Sequence, residues 1–172
     1  PQVLKEYPVP ASQMNDTRPT ISELGTAYIF HCPVRNVSRM ISEDVVPTWF
    51  YHFDHYFTNF DPWLPGYPEC ATEVCHGSEL PYIFNSAQIG HLYTGYVWSS
   101  GEAALAQQIS TYWGNFAISG NPNTPNMQSL NWPQYNATND LDLKFATPSS
   151  TETGYLKSQC DFWDNLGYSW GN

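Results

Sequence analysis

Residues 75–84 read Cys-His-Gly-Ser-Glu-Leu-Pro-Tyr-Ile-Phe, and they carry the strongest sign of chemistry in this sequence. His76 follows an acidic loop rich in proline and precedes a glycine, the carboxylate of Glu79 and a short apolar run. Loops at the ends of central strands are where α/β folds hold their working residues. The order of residues therefore predicts a histidine presented at the edge of a fold, not one buried in its core.

Composition excludes several classes of protein. The chain has 172 residues, with six Lys and Arg against sixteen Asp and Glu, so its net charge is −10. A phosphate backbone is repelled by such a charge, which excludes nucleic acid as a partner. No run approaches the ~20 apolar residues of a membrane helix, and no signal peptide opens the sequence. A start at Pro1 rather than Met predicts a processed product or part of a longer protein.

Cysteines and glycosylation triplets indicate an oxidising compartment. The four cysteines show no CxxC spacing, which argues against a zinc ribbon, and their even number is compatible with two disulfides. Three triplets, beginning at Asn15, Asn36 and Asn136, have the form that N-glycosylation requires. Together these features predict a secreted or lumenal glycoprotein.

The first half of the chain predicts one helix and one central strand. A run from Ser22 and Glu23 has helical periodicity and either closes near Pro33 or continues after a kink to Met40. Residues 48–55 are rich in aromatic residues, and large side chains occur at both odd and even positions. This pattern predicts a strand covered on both faces. Residues 56–76 are a loop, and Glu79 to Phe84 forms a short helix.

The second half predicts two helices and an edge strand. Apolar residues recur at spacings of three and four over residues 102–119, and Gly120 ends that helix. Residues 141–145 alternate as an edge strand, with Asp142 and Lys144 outward. A last amphipathic helix covers residues 155–166. The whole chain, 1–172, therefore reads as α/β in class, without an internal domain boundary.

Four motifs resemble one known family. They are residues 74–84, the segment 112–123 with its Trp-Gly-Asn-Phe core, Trp-Pro-Gln-Tyr at 132–135, and Cys-Asp-Phe-Trp-Asp at 160–164. In this order they resemble the type-B carboxylesterases and cholinesterases of the α/β-hydrolase fold. The resemblance implies that this chain is only the C-terminal portion of a hydrolase domain, with central-sheet strands flanked by helices.

The resemblance assigns His76 to the general base of a Ser-His-Glu or Ser-His-Asp triad. Its task is to accept the serine proton and return it to the leaving alcohol. No G-x-S-x-G elbow occurs in the chain, and family order places both serine and acid upstream of Pro1. We therefore expect the isolated chain to be inactive on carboxylic esters.

Neighbouring residues receive supporting roles. Glu79 matches a buried acidic position of the family that supports the histidine, although it is also suited to a helix start. Ser78 is a candidate cap for that helix. Asp54, at the end of the predicted strand, is the best acid within the chain, but family order disfavours it.

The resemblance also implies the disulfide pairs Cys32–Cys160 and Cys70–Cys75. In the chain-entropy model the first stabilises by about 5 kcal/mol and the second by about 2 kcal/mol. A free Cys75 acting as a nucleophile is the alternative, but adjacent side chains generally diverge.

No metal or cofactor is expected. His52 and His55, three residues apart on a strand, point to opposite faces and have no third ligand spaced to help. One or two aromatic residues are expected to line an acyl or alcohol pocket, from the set Trp49, Trp63, Tyr82, Phe84, Tyr93 and Trp98.

Three functions remain open on the sequence. The first is a secreted serine esterase, in which an N-terminal chain or segment completes the triad around a small ester. The second is a non-catalytic adhesion or scaffold protein of the same fold. The third, an independent binding domain, is disfavoured because residues 48–55 would then have no neighbouring strands.

Overall fold

The computed structural model describes residues 2–43, 46–58, 66–86 and 98–168. The chain forms two compact units. The first consists of Pro1–Phe50, Gln134–Leu141 and Thr153–Asn172, and the second of Tyr51–Pro133 and Asp142–Glu152. That both belong to one domain without an internal boundary stays a prediction.

The first unit contains mainly helices: α1 (Gln2–Glu6), a 3₁₀ turn (Ala11–Gln13), α2 (Arg18–Gly25), a π-helical segment (Thr26–His31), α3 (Cys32–Glu43) and α6 (Lys157–Leu166). Helix α2, the π-helical segment and α3 follow one another directly along the chain. The helix therefore continues beyond Pro33, as the second sequence-based alternative predicts. Such π segments occur mostly as single turns within longer helices.

The core of the first unit is small and partly aromatic. Tyr7, Ala27 and Trp163 are buried together with the disulfide between Cys32 and Cys160. The Trp163 indole N–H donates a hydrogen bond of 3.0 Å to the Tyr7 hydroxyl. This polar contact lets two large rings be buried without leaving the indole donor unsatisfied.

The second unit holds β1 (Tyr51–Phe53), a 3₁₀ turn (Pro68–Ala71), α4 (Leu80–Ile83), α5 (Ser100–Ser119) and all but one residue each of β2 (Leu141–Phe145) and β3 (Ser150–Thr153). The strand order is β1-β2-β3. Strand β1 runs parallel to β2, with Tyr51 opposite Leu143 and Phe53 opposite Phe145. This mixture of helices and sheet confirms the predicted α/β class, although β1 is shorter than the predicted strand.

The prediction of an edge strand at residues 141–145 is wrong, because β2 lies between β1 and β3. Asp142 does not face water but is buried, with its Oδ2 atom 2.6 Å from Nδ1 of His52. Lys144 forms an ion pair with Asp54. The alternating polar residues of β2 thus pair with side chains on β1 and just after it, and they do not mark an exposed edge.

Helix α5 begins two residues before its predicted start. Ser99 caps it by accepting from the backbone N–H of Glu102, whose carboxylate accepts from the backbone N–H of Ser99. This reciprocal pair is a capping box. Gly120 ends the helix with a φ of 71°, a left-handed conformation that glycine adopts without steric cost. The buried face includes Leu105, Ala106, Ile109 and Tyr112.

Candidate functional site

His76 lies in a tight turn between the Cys70–Cys75 disulfide and α4, and it is exposed. The Ser78 N–H donates to the Cys75 carbonyl over 3.0 Å, and the Leu80 N–H donates to the Gly77 carbonyl over 3.2 Å. Gly77 has a φ of 86°, which strongly favours glycine directly after the histidine. We call residues 75–84 the histidine arm; its geometry presents His76 to the surroundings, as predicted.

Both predicted disulfides are present in the structure. Cys70 and Cys75 are joined directly before the histidine, and Cys32 and Cys160 are joined across 128 residues. The alternative of a nucleophilic Cys75 is therefore wrong, because its sulfur is bonded to Cys70. The short disulfide closes the loop from which the histidine arm emerges.

Glu79 is half-buried and immediately precedes α4. Its side chain makes no cap hydrogen bond, while its carbonyl accepts from Tyr82 N–H over 2.9 Å. Burial, and after it the negative charge of Glu79, raise the pKa of Tyr51. Ser78 does not occupy the cap position and is buried instead. A supporting role for Glu79 behind His76 stays a prediction.

Tyr82 anchors the histidine arm in the second unit. Its side chain is fully buried, stacked on Trp98 with ring centroids 5.2 Å apart and packed against Phe53 at the same distance. Its hydroxyl makes a long hydrogen bond of 3.5 Å to Oε1 of Glu102. The helix that follows His76 is thus fixed by one large aromatic side chain.

Glu102 is a fully buried carboxylate beside this anchor. It accepts from the Thr58 N–H over 2.9 Å and from the Ser99 N–H over 2.7 Å, and the Ser99 hydroxyl donates over 2.8 Å. The ring of His55 approaches it at 3.5 Å. Burial acts to raise the pKa of Glu102, but these hydrogen bonds outweigh burial and lower it to about 2. The buried group is therefore ionised over the physiological range.

Sequence reasoning assigns Glu102 only to the start of a helix and misses this role. The pattern Ser99-Ser100-Gly101-Glu102 is visible as a capping box in the sequence. That local signal, however, says nothing about Thr58 or Tyr82, which are 44 and 20 residues away.

His52 and His55 are both buried and have separate partners. His52 lies against Asp142, with Glu152 3.7 Å away, and His55 lies near Glu102 and the Thr147 hydroxyl. Within the described ranges no three His, Cys, Asp or Glu side chains are grouped to hold a metal. Asp54, the alternative acid, is exposed and paired with Lys144.

The aromatic candidates for a pocket divide into three sets. Tyr82 is core, Trp49 and Trp98 are half-buried, and Phe84 is exposed at the end of α4. Trp63 and Tyr93 lie outside the described residues. A pocket lined by one or two of the six stays a prediction.

The predicted glycosylation positions differ in accessibility. Asn15 is exposed in a turn and Asn136 is exposed directly before one, whereas Asn36 is half-buried within α3. Of the helices that the structure describes, none has the length and apolarity to cross a membrane.

Comparisons of the sequence with a family model and with individual proteins point to the same family. The sequence model of the carboxylesterase family matches residues 1–163. The cAMP-regulated D2 protein of Dictyostelium discoideum is 33% identical over 173 residues, covering 97% of this chain and 30% of that protein. Acetylcholinesterase of Bungarus fasciatus is 28% identical over 138 residues (78% and 21%), and human neuroligin-2 is 26% identical over 164 residues (87% and 19%). The chain spans less than a third of the length of these relatives.

Proposed function

The chain belongs to the carboxylesterase family and has a partial α/β-hydrolase fold, and we propose that it is the histidine-bearing part of a serine carboxylic-ester hydrolase. The observation that carries this proposal is the histidine arm, which exposes His76 between a short disulfide and a buried anchor. The serine, the acid and the oxyanion hole come from an upstream segment or chain.

In this mechanism His76 acts as a base and then as an acid in each of the two halves of the reaction. It accepts the proton of the upstream serine as the serine oxygen attacks the ester carbonyl. Collapse of the tetrahedral intermediate expels the alcohol, to which His76 returns the proton, leaving an acyl-serine. Water then repeats the sequence, with His76 as base, and releases the acid. Glu79 supports the histidine from behind, and donors in the upstream part stabilise the oxyanion.

The proposal is tested in the longer protein by replacing His76 with Gln. We expect a fall in kcat on a small aryl ester of about 10³-fold to 10⁶-fold, since loss of a triad histidine has effects of that order. Glu73→Gln, in the same disulfide loop and exposed, is the control and should leave kcat unchanged. An equally active His76→Gln protein would contradict the proposal.

The alternative is a non-catalytic protein of the same fold, of the adhesion or scaffold kind. In its favour, relatives whose names state no reaction, such as the D2 protein and neuroligin-2, match as well as the acetylcholinesterase does. The exposed His76, with Glu79 three residues further along the chain, favours the enzyme. A fluorophosphonate probe decides between them, because it labels the upstream serine of an esterase and leaves a scaffold unlabelled. The 172-residue chain alone should neither be labelled nor turn over esters.

We also propose that the protein is a glycoprotein of the secretory route. Two disulfides and three sequons support this setting. Peptide N-glycosidase treatment of the natural protein should lower its mass, and Asn15→Gln and Asn136→Gln should each remove one glycan. No mass change on treatment would overturn the proposal.

A further inference from the structure

The two disulfides of this chain differ in how well they are shielded. Cys32 and Cys160 are both fully buried, and their bond joins positions 128 residues apart. The bond between Cys70 and Cys75 closes a loop whose inner residues, 71–74, are all exposed, and Cys75 itself is only half-buried. Exposed disulfides are typically labile or regulatory, whereas buried structural ones resist reduction. The short disulfide is therefore the one that a soluble thiol reaches first.

The short disulfide holds the histidine arm on the side that precedes His76. Cys70 is 4% exposed, so it is fixed within the second unit, and the bond ties Cys75 to it. On the other side of His76 the arm is anchored by the buried ring of Tyr82. His76 thus lies between two attachments, of which one is covalent and reducible and the other depends on packing.

The hydrogen bonds of the loop do not replace the covalent attachment. Thr72 and Glu73 donate their N–H groups to the Glu69 carbonyl over 3.1 and 3.0 Å, and the Ser78 N–H donates to the Cys75 carbonyl over 3.0 Å. These bonds lie within the loop and the arm, so they hold the local turns and do not tie them to the sheet. Opening the disulfide therefore loosens the arm and leaves the sheet in place.

We propose that the disulfide between Cys70 and Cys75 is a redox switch that sets the position of His76, closed in the active protein and opened by a dithiol reductant. This inference rests on the proposed function, in which His76 serves an upstream serine. A displaced imidazole no longer lies within hydrogen-bond distance of the serine hydroxyl, which proton transfer requires. In the oxidising setting of a secretory protein the bond stays closed.

The switching step is a thiol–disulfide exchange that transfers two electrons. A thiolate of the dithiol attacks the sulfur of Cys75, the less buried of the two cysteines, and Cys70 leaves as a thiolate that takes up a proton. The second thiol of the reductant then loses its proton and attacks the mixed disulfide, which releases Cys75 as a thiol. The dithiol ends as a cyclic disulfide, and the protein gains two thiols.

Reduction of the longer natural protein under native conditions tests the proposal. We expect dithiothreitol, followed by iodoacetamide, to alkylate Cys70 and Cys75 and to leave the Cys32–Cys160 bond intact, as measured by peptide mass spectrometry. A short disulfide that stays oxidised after the long one has been reduced would overturn the inference.

The kinetic constants show whether reduction acts on His76. On a small aryl ester, kcat should fall about tenfold or more with KM nearly unchanged, since a displacement of about 1 Å can cost about 100-fold in rate. In a sample that is not alkylated, oxidised glutathione should restore kcat. Full activity after reduction of the Cys70–Cys75 bond would contradict the proposal.

The double variant Cys70→Ser/Cys75→Ser separates this bridge from any in the upstream part. It should turn over the ester as slowly as the reduced wild type, and dithiothreitol should not slow it further. A variant as active as the wild type, or one whose activity still falls on reduction, would show that another bridge is responsible. Reduction of the wild-type protein decides the question if the double variant does not fold.

Hydrogen exchange separates this inference from the proposed function. Reduction should speed amide exchange severalfold in peptides that cover residues 75–84 and leave helix α5 unchanged. Faster exchange in a protein that does not react with a fluorophosphonate refutes the esterase and keeps the redox-controlled arm. An active esterase whose arm exchanges equally fast in both redox states keeps the proposed function and overturns the switch.

Discussion

Asp140 in the first unit and Glu102 in the second are both buried carboxylates, and each unit also contains a disulfide, but the two carboxylates are held in different ways. In the first unit Asp140 is bound by a cation, the guanidinium of Arg35, and by the Tyr135 hydroxyl at 2.8 Å. In the second unit backbone N–H groups and hydroxyls surround Glu102. The difference shows that a buried negative charge can be held by a guanidinium or mainly by backbone N–H and hydroxyl donors, here with the His55 ring 3.5 Å away, provided that its oxygens accept enough hydrogen bonds.

The pKa values of Asp140 and Glu102 nevertheless shift in the same direction. Burial acts to raise the pKa of each. Hydrogen bonds from Arg35 and Tyr135 outweigh burial for Asp140, and those from Thr58 and Ser99 outweigh it for Glu102. Both pKa values are therefore lowered. The direction of the pKa shift does not distinguish the two arrangements, whereas substitutions do.

The disulfides give the largest expected contrast between the units. The paired replacement of Cys32 and Cys160 by Ser should lower the free energy of unfolding by about 5 kcal/mol, and that of Cys70 and Cys75 by about 2 kcal/mol. The reason is loop length, since the bridges span 128 and 5 residues. Denaturant unfolding of the protein that contains this chain measures both; equal losses would contradict the loop-entropy argument.

Replacing Arg35 by Met tests the counter-charge arrangement. The change leaves Asp140 buried without its cation, and we expect a loss of about 3–5 kcal/mol in the free energy of unfolding. Arg18→Met is the matched control, because its pair with Asp16 is at 2.8 Å but is 73% and 49% exposed. That control should leave the free energy of unfolding close to the wild-type value, because exposed ion pairs contribute little. Similar losses for the two arginines would show that burial does not govern the Arg35 pair.

Replacing Glu102 by Gln tests the dipole arrangement. The amide keeps the shape of the side chain but brings an N–H₂ group against donors that already point at it, so we expect a loss of about 1–3 kcal/mol. Thermal or denaturant unfolding measures the loss. Glu43→Gln, at the exposed end of α3, should stay within about 0.5 kcal/mol of the wild type. A Glu102→Gln protein as stable as the wild type would mean that the ionised form is not required there.

Acid titration is expected to give the smallest effect, because the stability that ionised Glu102 contributes does not change near neutral pH. The folded pKa of Glu102, about 2, lies below its ordinary value of 4.5. The stability contributed by ionised Glu102 is therefore fully present above pH 4.5 and is lost as the pH falls towards 2. The difference in unfolding free energy between wild type and Glu102→Gln should be constant above about pH 5 and shrink below it. A difference that does not depend on pH would contradict the lowered pKa.

Local patterns in the sequence predict the helices well. The periodicity of residues 102–119 and the stop at Gly120 correspond to α5 within two residues, and the resemblance predicts both disulfide pairs. These features depend on spacing over a few residues or on recognisable motifs, and both kinds of information are present in a single sequence.

Partnerships between distant residues are what the sequence does not reveal. Asp142 looks like an outward-facing residue, and its partner His52 is 90 residues away. Arg35 and Asp140 are 105 residues apart, so the burial of Arg35 on α3 cannot be inferred from the helix alone. In the candidate site, the sequence predicts roles for His76 and Glu79, which stay predictions, and gives no sign of the anchor formed by Tyr82 and Glu102. Charge pairing across such distances is decided by tertiary structure, which periodicity does not encode.

The cap of α5 constrains how this protein can evolve. Glu102 accepts hydrogen bonds from both the backbone N–H and the side chain of Thr58, so position 58 excludes proline, which lacks the N–H, and favours residues with a hydroxyl. Ser99 contributes its hydroxyl as well as its backbone, so position 99 is restricted to residues with a hydroxyl. A lineage that exchanges Glu102 for an apolar residue removes the acceptor of these donors, so across related sequences positions 58, 99 and 102 should vary together.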